Sequence, residues 1–416
     1  MKLLFVTPTY PPMPGGGERY AAALAAQLRD RGHTVAVITS LAAREADLWD
    51  GSGADRMPTV DGDIRRLPVR PFPGGRSGLM AYRKAMVLLS AVPGDQSGPL
   101  LRLARRVPII DGLDEALAVA PEIDLIHAFN LSWESTMAGA ARLAEARGCP
   151  LVVTPFAHFG VGADDRVARN STMDHQRRLM AGAAGVMVLT EVEKAGLSAI
   201  GVAPERITVL GGGADALPAG WEQAAATPEA RAWPQPYALF IGRAGRDKGA
   251  IDAAEAILAL RRGGRDVSLL LAGSLSPDFV RWHQRLPAAD RVAIATLGIV
   301  PEETKHALLS RAAMLLLPSR SDSFGIVLLE AWQHGVPVIG ARAGGIPGVI
   351  DDGRDGLLVD YGDVGGLAAA IGHLLDSPAW AAELGADGRR KVTTDLTWDQ
   401  AATRAGAAYG RILGRS

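Results

Sequence analysis

The chain has 416 residues, 48% of them apolar, which is too long for one typical domain and rich enough for two buried cores. Its 44 basic and 45 acidic residues leave a net charge of −1, so the overall charge gives no reason to expect a nucleic-acid partner. A single cysteine, Cys149, excludes an intrachain disulfide and fits a reducing compartment.

Residues 3–7 form a short apolar run before Pro8, too short for the core of a signal peptide, and read as a first strand. No window approaches the roughly 20 apolar residues of a spanning helix, so a soluble, cytoplasmic protein is expected. A Pro/Gly loop covers 8–17. An Ala/Leu-rich helix follows over 18–31 with Gly32 as its stop, then a strand over 35–39. Strand, glycine loop and helix in this order open a doubly wound sheet. Apolar runs at 125–126, 151–153, 186–189 and 207–210 continue it. Prolines at 218, 228, 234 and 236 mark 218–236 as a linker. The alternation then restarts with a strand at 237–241, a helix at 249–262 and strands at 267–272, 314–317 and 336–339. The fold expected is therefore α/β with two Rossmann-like domains facing a central cleft, 1–217 and 237–395, and a last segment 396–416.

Two motifs in the second half carry chemistry. The strand at 237–241 runs into Gly242-Arg243-Ala244-Gly245-Arg246-Asp247-Lys248-Gly249, with Asp247 expected as the helix N-cap. Arg243 and Lys248 beside a helix start suit a diphosphate, although two solvated cations at a turn would look the same in isolation. Downstream, Leu317-Pro318 ends a strand, and Asp322-Ser323-Phe324-Gly325-Ile326-Val327-Leu328-Leu329-Glu330 enters a helix. Asp322 and Glu330 can accept hydrogen bonds from sugar hydroxyls, and the amides of 324–327 are donors open to phosphate. Both carboxylates also suit the helix dipole alone.

Together these motifs resemble the retaining glycosyltransferases of family 4, which have the glycosyltransferase B fold. Pro337-Val338-Ile339, Gly344-Gly345-Ile346-Pro347 and Asp355-Gly356-Leu357-Leu358-Val359 extend the resemblance, as do Gly15-Gly16-Gly17-Glu18-Arg19 and Gly32-His33-Thr34-Val35 near the start. The resemblance implies a donor that is a nucleotide diphosphate sugar, a UDP- or GDP-sugar, and an acceptor that is a sugar, a lipid-linked sugar or a small molecule. By the same resemblance Arg243 and Lys248 bind the diphosphate, Glu330 the ribose, and Gly242, Phe324, Gly325, Ile326 and Val327 line the donor site. Ile299 and Val300 fall where the base is held, Gly15 and Gly16 where a loop of the first domain approaches the diphosphate, and His158 beside the reacting sugar. The last helix is expected to cross back onto the first domain. Two positions depart from the family. Asp322 stands where glutamate is usual, shorter by about 1.5 Å, and Gly348 stands where glutamate is frequent.

No cofactor and no metal are expected, because two fixed cations serve the leaving group. Asp61-Gly62-Asp63 resembles a metal motif but reads as a hairpin turn. His127 at a strand end leaves two readings, cleft-lining or packed. Two rival functions stay open: a nucleotide-sugar epimerase on the same fold and a non-catalytic nucleotide-sugar binder. Finally, residues 76–106 carry six basic side chains against one acid, Asp95, around an apolar stretch. An ordinary packed helix with solvated arginines is the leading reading, and a peripheral membrane contact is the alternative.

Overall fold

The alternation read from the sequence folds as two parallel sheets in the computed structural model, which describes residues 1–51, 57–161, 165–233 and 235–415. The first unit comprises Met1–Phe159, Ala163–Gly211 and Trp398–Ser416; the second comprises Gly160–Gly162 and Gly212–Thr397.

The first unit holds β1 (Lys2–Val6), β2 (Thr34–Ser40), β3 (Thr59–Asp61), β4 (Ile64–Leu67), β5 (Leu125–Phe129), β6 (Leu151–Thr154), β7 (Gly185–Val188) and β8 (Ile207–Val209). They line up as β3-β4-β2-β1-β5-β6-β7-β8. All neighbours are parallel except β3 and β4. The inner strands are apolar without alternation, as Leu3, Leu4, Phe5 and Val6 show, because helices cover both faces of a parallel sheet. Helix Gly16–Asp30 buries Tyr20, Ala21, Leu24, Ala25 and Leu28, a stripe at helical spacing.

The second unit holds β9 (Tyr237–Ile241), β10 (Ser268–Ala272), β11 (Ile294–Gly298), β12 (Met314–Leu317), β13 (Val338–Ala341) and β14 (Leu357–Val359), ordered β11-β10-β9-β12-β13-β14 and parallel throughout. Among the parallel strands of each sheet the order reverses once, between β1 and β5 and between β9 and β12. Connections leave the two central strands toward opposite sides there, opening a crevice at their carboxyl ends.

One expectation changes in the structure and two hold. The stretch 218–236 is not a free linker but part of the second unit. Its helices Trp221–Ala225 and Pro228–Arg231 lie against Glu302–Leu309. The Trp221 ring meets His334 edge-on at 4.7 Å between centroids, which gives the Ala-rich stretch an anchor. Pro234 lies outside the described residues. Asp61-Gly62-Asp63 does form a hairpin: Asp61 pairs with Ile64 across antiparallel β3 and β4, and Gly62 supplies a positive φ of 56°. The basic segment 76–106 packs one apolar face and leaves Arg76, Lys84, Arg102, Arg105 and Arg106 exposed, as an ordinary packed helix with solvated cations does. On helix Gly75–Ser90, Leu79 and Met86 join a core cluster with Phe72, Leu100 and Met173. Arg83 turns inward, donating to the Ser132 carbonyl and lying 3.9 Å from buried Glu134. Met80 and Leu88 remain exposed. Among the described residues no helix is long and apolar enough to cross a membrane.

The closing helix Trp398–Ile412 belongs to the first unit and packs on Gly16–Asp30. Trp398 meets Tyr20 at 5.4 Å between ring centroids, and Arg31 pairs with Asp399 at 2.5 Å. Its inner end is tied by His127, which is fully buried, with Nδ1 2.7 Å from the Tyr409 hydroxyl and Nε2 2.8 Å from Thr154 Oγ1. His127 is thus the packed strand-end histidine of the two readings. Burial pushes its pKa down to about 3. The unfolded chain takes up a proton near pH 6.5 that the folded chain refuses. Stability from this site is therefore complete above about pH 6.5 and falls as the pH drops toward 3, by at most about 1.4 kcal/mol per pH unit. Urea titrations between pH 7 and 5 should show a steeper loss of stability for the wild type than for His127→Gln. Parallel pH dependences would assign the acid sensitivity to other groups.

Candidate active site

The crevice between β9 and β12 gathers most of the residues singled out in the second half of the sequence. Strand β9 ends at Ile241, and Gly242 follows with φ 131°. The loop is held by Ala244 N–H donating to the Ser274 carbonyl at 2.8 Å and by Arg320 N–H donating to the Asp247 carbonyl at 3.0 Å. The second bond joins the loop after β9 to the loop after β12. Gly249 makes the approach feasible: its φ is 73°, and a Cβ there would strike the Pro318 carbonyl.

Helix Ala250–Arg262 starts after Gly249, which is its N-cap. Asp247 is therefore not the cap expected from the sequence. Its carboxylate instead pairs with Arg243 at 2.5 Å. Lys248 Nζ lies 3.0 Å from Asp322 Oδ1, with both side chains about three-quarters buried. The two cations and two carboxylates thus form alternating pairs in one crevice, each cation already facing an oxygen.

After β12 the chain passes Asp322 and buried Phe324 and enters helix Ile326–Gln333, whose N-cap Gly325 has φ 80°. The first-turn amides of Ile326 and Val327 have no carbonyl one turn back and point out of the helix start. Phe324 packs against Gly212, where a Cβ would come within 2.7 Å of the ring. Gly345 N–H donates to the Asp322 carbonyl at 2.7 Å, and a Cβ on Gly344 would strike the same oxygen. The Gly344-Gly345 pair therefore fixes the backbone that presents Asp322.

Glu330 is placed differently from the open carboxylate that the sequence suggests. It is 1% exposed, and its Oε1 accepts from Lys305 Nζ at 2.8 Å. Lys305 also donates to Glu302 at 2.6 Å. Glu302, His306 and Glu330 offer three donor atoms within 4.8 Å of one another. The Lys305 ammonium occupies that cluster, so a divalent ion would have to displace it. Lys305 went unnoticed in the sequence because a lysine in helix Glu302–Leu309 looks like any solvated cation. Ile299 is 82% exposed and Val300 half-buried, just past the carboxyl end of β11, an apolar ledge at the same edge of the sheet.

His158, Gly15 and Gly16 belong to the first unit. Gly15 caps helix Gly16–Asp30, and a Cβ on it would run into the Glu18 carboxylate. A Cβ on Gly17 would lie 3.2 Å from the Phe156 ring, so the helix start and the loop bearing His158 are neighbours. That loop leaves β6 with Phe156 at a positive φ of 50°. Its next amide, Ala157 N–H, donates to Glu193 Oε1 at 2.7 Å, and Leu189 N–H donates to Oε2 at 2.9 Å. Burial pushes the Glu193 carboxyl up to about 7, against the pull of these two amides. His158 itself is half-buried, and its backbone N–H donates to Ser171 Oγ at 3.3 Å. Glu193 is a second residue missed in the sequence. Thr190-Glu191-Val192-Glu193 has capping-box spacing, and Thr190 Oγ1 accepts from Glu193 N–H at 3.1 Å, while the Glu193 carboxylate reaches the loop after β6 instead of the cap.

Two parallel-sheet α/β units, one with paired cations and a helix start at its topological switch point, define a doubly wound class of protein whose crevice suits an anionic ligand. The comparisons narrow this. The family described as "Glycosyl transferase 4-like domain" matches residues 15–213, and "Glycosyl transferases group 1" matches residues 235–377. The chain belongs to the group 1, family 4 glycosyltransferases. It is 35% identical over 208 residues to a glycogen synthase of Mycobacterium tuberculosis, covering 49% of this chain and 48% of that one. It is 33% identical over 284 residues to a D-inositol 3-phosphate glycosyltransferase of Pseudarthrobacter chlorophenolicus, covering 63% and 64%. The chain spans about half the length of relatives such as the first. A solved sucrose-phosphate synthase of Thermosynechococcus elongatus superposes with a TM-score of 0.70 at 21% identity, covering 100% of this chain and 99% of that one. The Anabaena protein HepE, solved with UDP and glucose, gives 0.69 at 18%, covering 99% and 100%. These likenesses show the glycosyltransferase B fold.

The buried pair of Lys305 and Glu330 makes a testable demand. Lys305→Ala should destabilise the second unit by about 3–5 kcal/mol, because it strands a buried carboxylate. Lys305→Met with Glu330→Gln should cost clearly less. Denaturant titration of both variants checks this, and equal losses would mean that the ion pair is not what the site rests on.

Proposed function

We propose that the chain is a retaining, metal-independent glycosyltransferase that moves a sugar from a UDP- or GDP-sugar to an acceptor hydroxyl. The observation that carries this reading is the pairing of Arg243 and Lys248 with two carboxylates at a switch-point crevice that also holds the helix start at Gly325. Cleaving the sugar–diphosphate bond develops negative charge on the leaving oxygen and positive charge on the anomeric carbon. Arg243 and Lys248 turn from their carboxylates to the diphosphate, and the amides of Ile326 and Val327 add donors to it. Asp322, released by Lys248, accepts from a hydroxyl of the donor sugar. Glu330, its orientation fixed by Lys305, is the ribose contact, and the ledge of Ile299 and Val300 receives the base. For His158 and the Gly15-Gly16 turn the family resemblance supplies the assignment, to the sugar and to the diphosphate. A UDP complex of HepE and sugar-transferring relatives support the donor class. Those relatives act on different acceptors, which leaves a sugar, a lipid-linked sugar or a small molecule as the acceptor class.

Nucleotide release measured with a panel of nucleotide-sugars, with and without acceptors, tests the reading. Acceptor-dependent release supports it, whereas conversion of the donor alone would make the protein an epimerase. With a cognate pair, Arg243→Ala and Lys248→Ala should each lower turnover by roughly 10²–10³. Activity should persist in a strong chelator; complete loss restored by manganese would return a metal to the mechanism. Asp322→Asn separates two roles. It removes both the sugar contact and the partner of Lys248, so turnover should fall while affinity for the bare nucleoside diphosphate holds or rises. A fall in that affinity would place Asp322 on the nucleotide instead.

A further inference from the structure

The first unit contains a groove of about 780 Å³ at the opposite end of its sheet from the His158 loop. It is lined where the chain enters β6, at Gly148 to Leu151, and where it enters β7, at Gly182 to Ala184. The length of β6 therefore separates it from the loop that leaves that strand toward His158. Its walls are the helices Ser97–Ala104, Glu134–Arg147 and Asp174–Gly182. The volume falls within the range of roughly 300–1,000 Å³ typical of small-molecule sites.

The lining has two chemistries. Leu101, Ala138, Ala141, Leu151 and Leu179 give it an apolar floor. Five guanidinium groups, from Arg102, Arg105, Arg142, Arg178 and Arg206, stand around it, against one acid on the wall, Glu145. The cations are only partly neutralised. Asp114 serves both Arg105, at 2.7 Å, and Arg142. Asp95 lies 3.7 Å from Arg178, which also donates to Ser97 Oγ at 2.9 Å. Arg206 donates to carbonyls, including that of Ala181 at 2.8 Å, so its bonds cancel no charge. Arg102 forms no ion pair among the described residues.

We infer that this groove binds a single-chain anionic amphiphile, an alkyl or acyl chain ending in a phosphate. The floor takes the chain, and the cations take the head, with Arg102 and Arg206 the two that no carboxylate offsets. A free inorganic anion leaves the apolar floor wet, and a neutral chain leaves Arg102 and Arg206 without an anionic partner. A floor set between three helices suits a single chain better than a bilayer surface, to which the neighbouring helix, with Leu79 and Met86 in a core, offers Met80 and Leu88. The site is independent of the transferase reading, because none of its residues serves the β9–β12 crevice.

Dodecyl phosphate below its micelle concentration is the probe, titrated into the full chain by calorimetry. The chain's only cysteine, Cys149, lines the groove and reports where the probe sits. Burial raises its thiol pKa, so maleimide labelling is run at alkaline pH. The expected result is one-site binding, with labelling slowed about tenfold at ten times the dissociation constant. Arg102→Glu, checked for an unchanged circular dichroism spectrum, should shift both titrations to at least about tenfold higher concentration, one lost charge-assisted contact. Dodecyl maltoside and inorganic phosphate should do neither. Absence of heat and of protection overturns the proposal, as does equal protection by dodecyl maltoside, which would make the groove merely apolar. Protection by anionic phospholipid vesicles without binding of the monomer overturns it too, in favour of a membrane-docking face. Binding that Arg102→Glu leaves unchanged overturns the role of the arginine rim.

Discussion

The order of the strands in the second sheet is the constraint on which the candidate site rests. Because β9 and β12 are neighbours in space but far apart in sequence, the loops that follow them leave the sheet side by side. Everything assembled there depends on how closely those loops approach. The bond from Arg320 N–H to the Asp247 carbonyl and the absence of a side chain at Gly249 bring them into contact. Only then can Lys248 from one loop reach Asp322 from the other. A parallel sheet supplies such a crevice at no cost to its core, since the residues involved lie beyond the strand ends.

Support behind the site is buried and polar. Lys305 holds Glu330 beneath the helix start at Gly325, and Glu193 holds the amide after the strained Phe156 in the first unit. Both are charged-type side chains in places where an unpaired group would be costly, so each is satisfied on its functional side by a specific partner. Neither would tolerate an apolar substitute without letting a loop relax. They give the sites rigidity that the exposed loops alone lack.

Much of this was legible in the sequence, for identifiable reasons. The continuous apolar runs and glycine stops gave the strands and helices of both units, because parallel strands bury both faces. Arg243, Lys248 and Asp322 stood out because charged residues follow apolar strand ends there at fixed spacing. Helix capping was less legible: Asp247 is a good N-cap by type, yet the close approach at Gly249 moved the helix start two residues on and left Asp247 to Arg243. Lys305 and Glu193 were invisible because their meaning lies in partners 25 and 36 residues away. The stretch 218–236 looked like a linker by composition, and the packing of its helices on Glu302–Leu309 and of Trp221 on His334 shows that it is folded. The arginines of 76–106 looked like one basic face, whereas the fold sends Arg83 inward and Arg102 and Arg105 to a groove.

The alternating pairs Arg243–Asp247 and Lys248–Asp322 have a consequence for how any anion enters the crevice. A bare cationic patch collects counterions and any passing polyanion, and gives them up as salt rises. Here the resident carboxylates act as tethered counterions, so on the proposed function an incoming diphosphate would exchange one oxyanion partner for another. The favourable term is then a difference between two similar contacts, and it is largest for a ligand that engages both cations at once and offers a hydroxyl to the freed Asp322. On that reading the crevice is an ion exchanger whose stationary charges belong to the chain, and the half-shielded Lys248–Asp322 pair, more than the exposed Arg243–Asp247 pair, sets what a singly charged anion would have to displace.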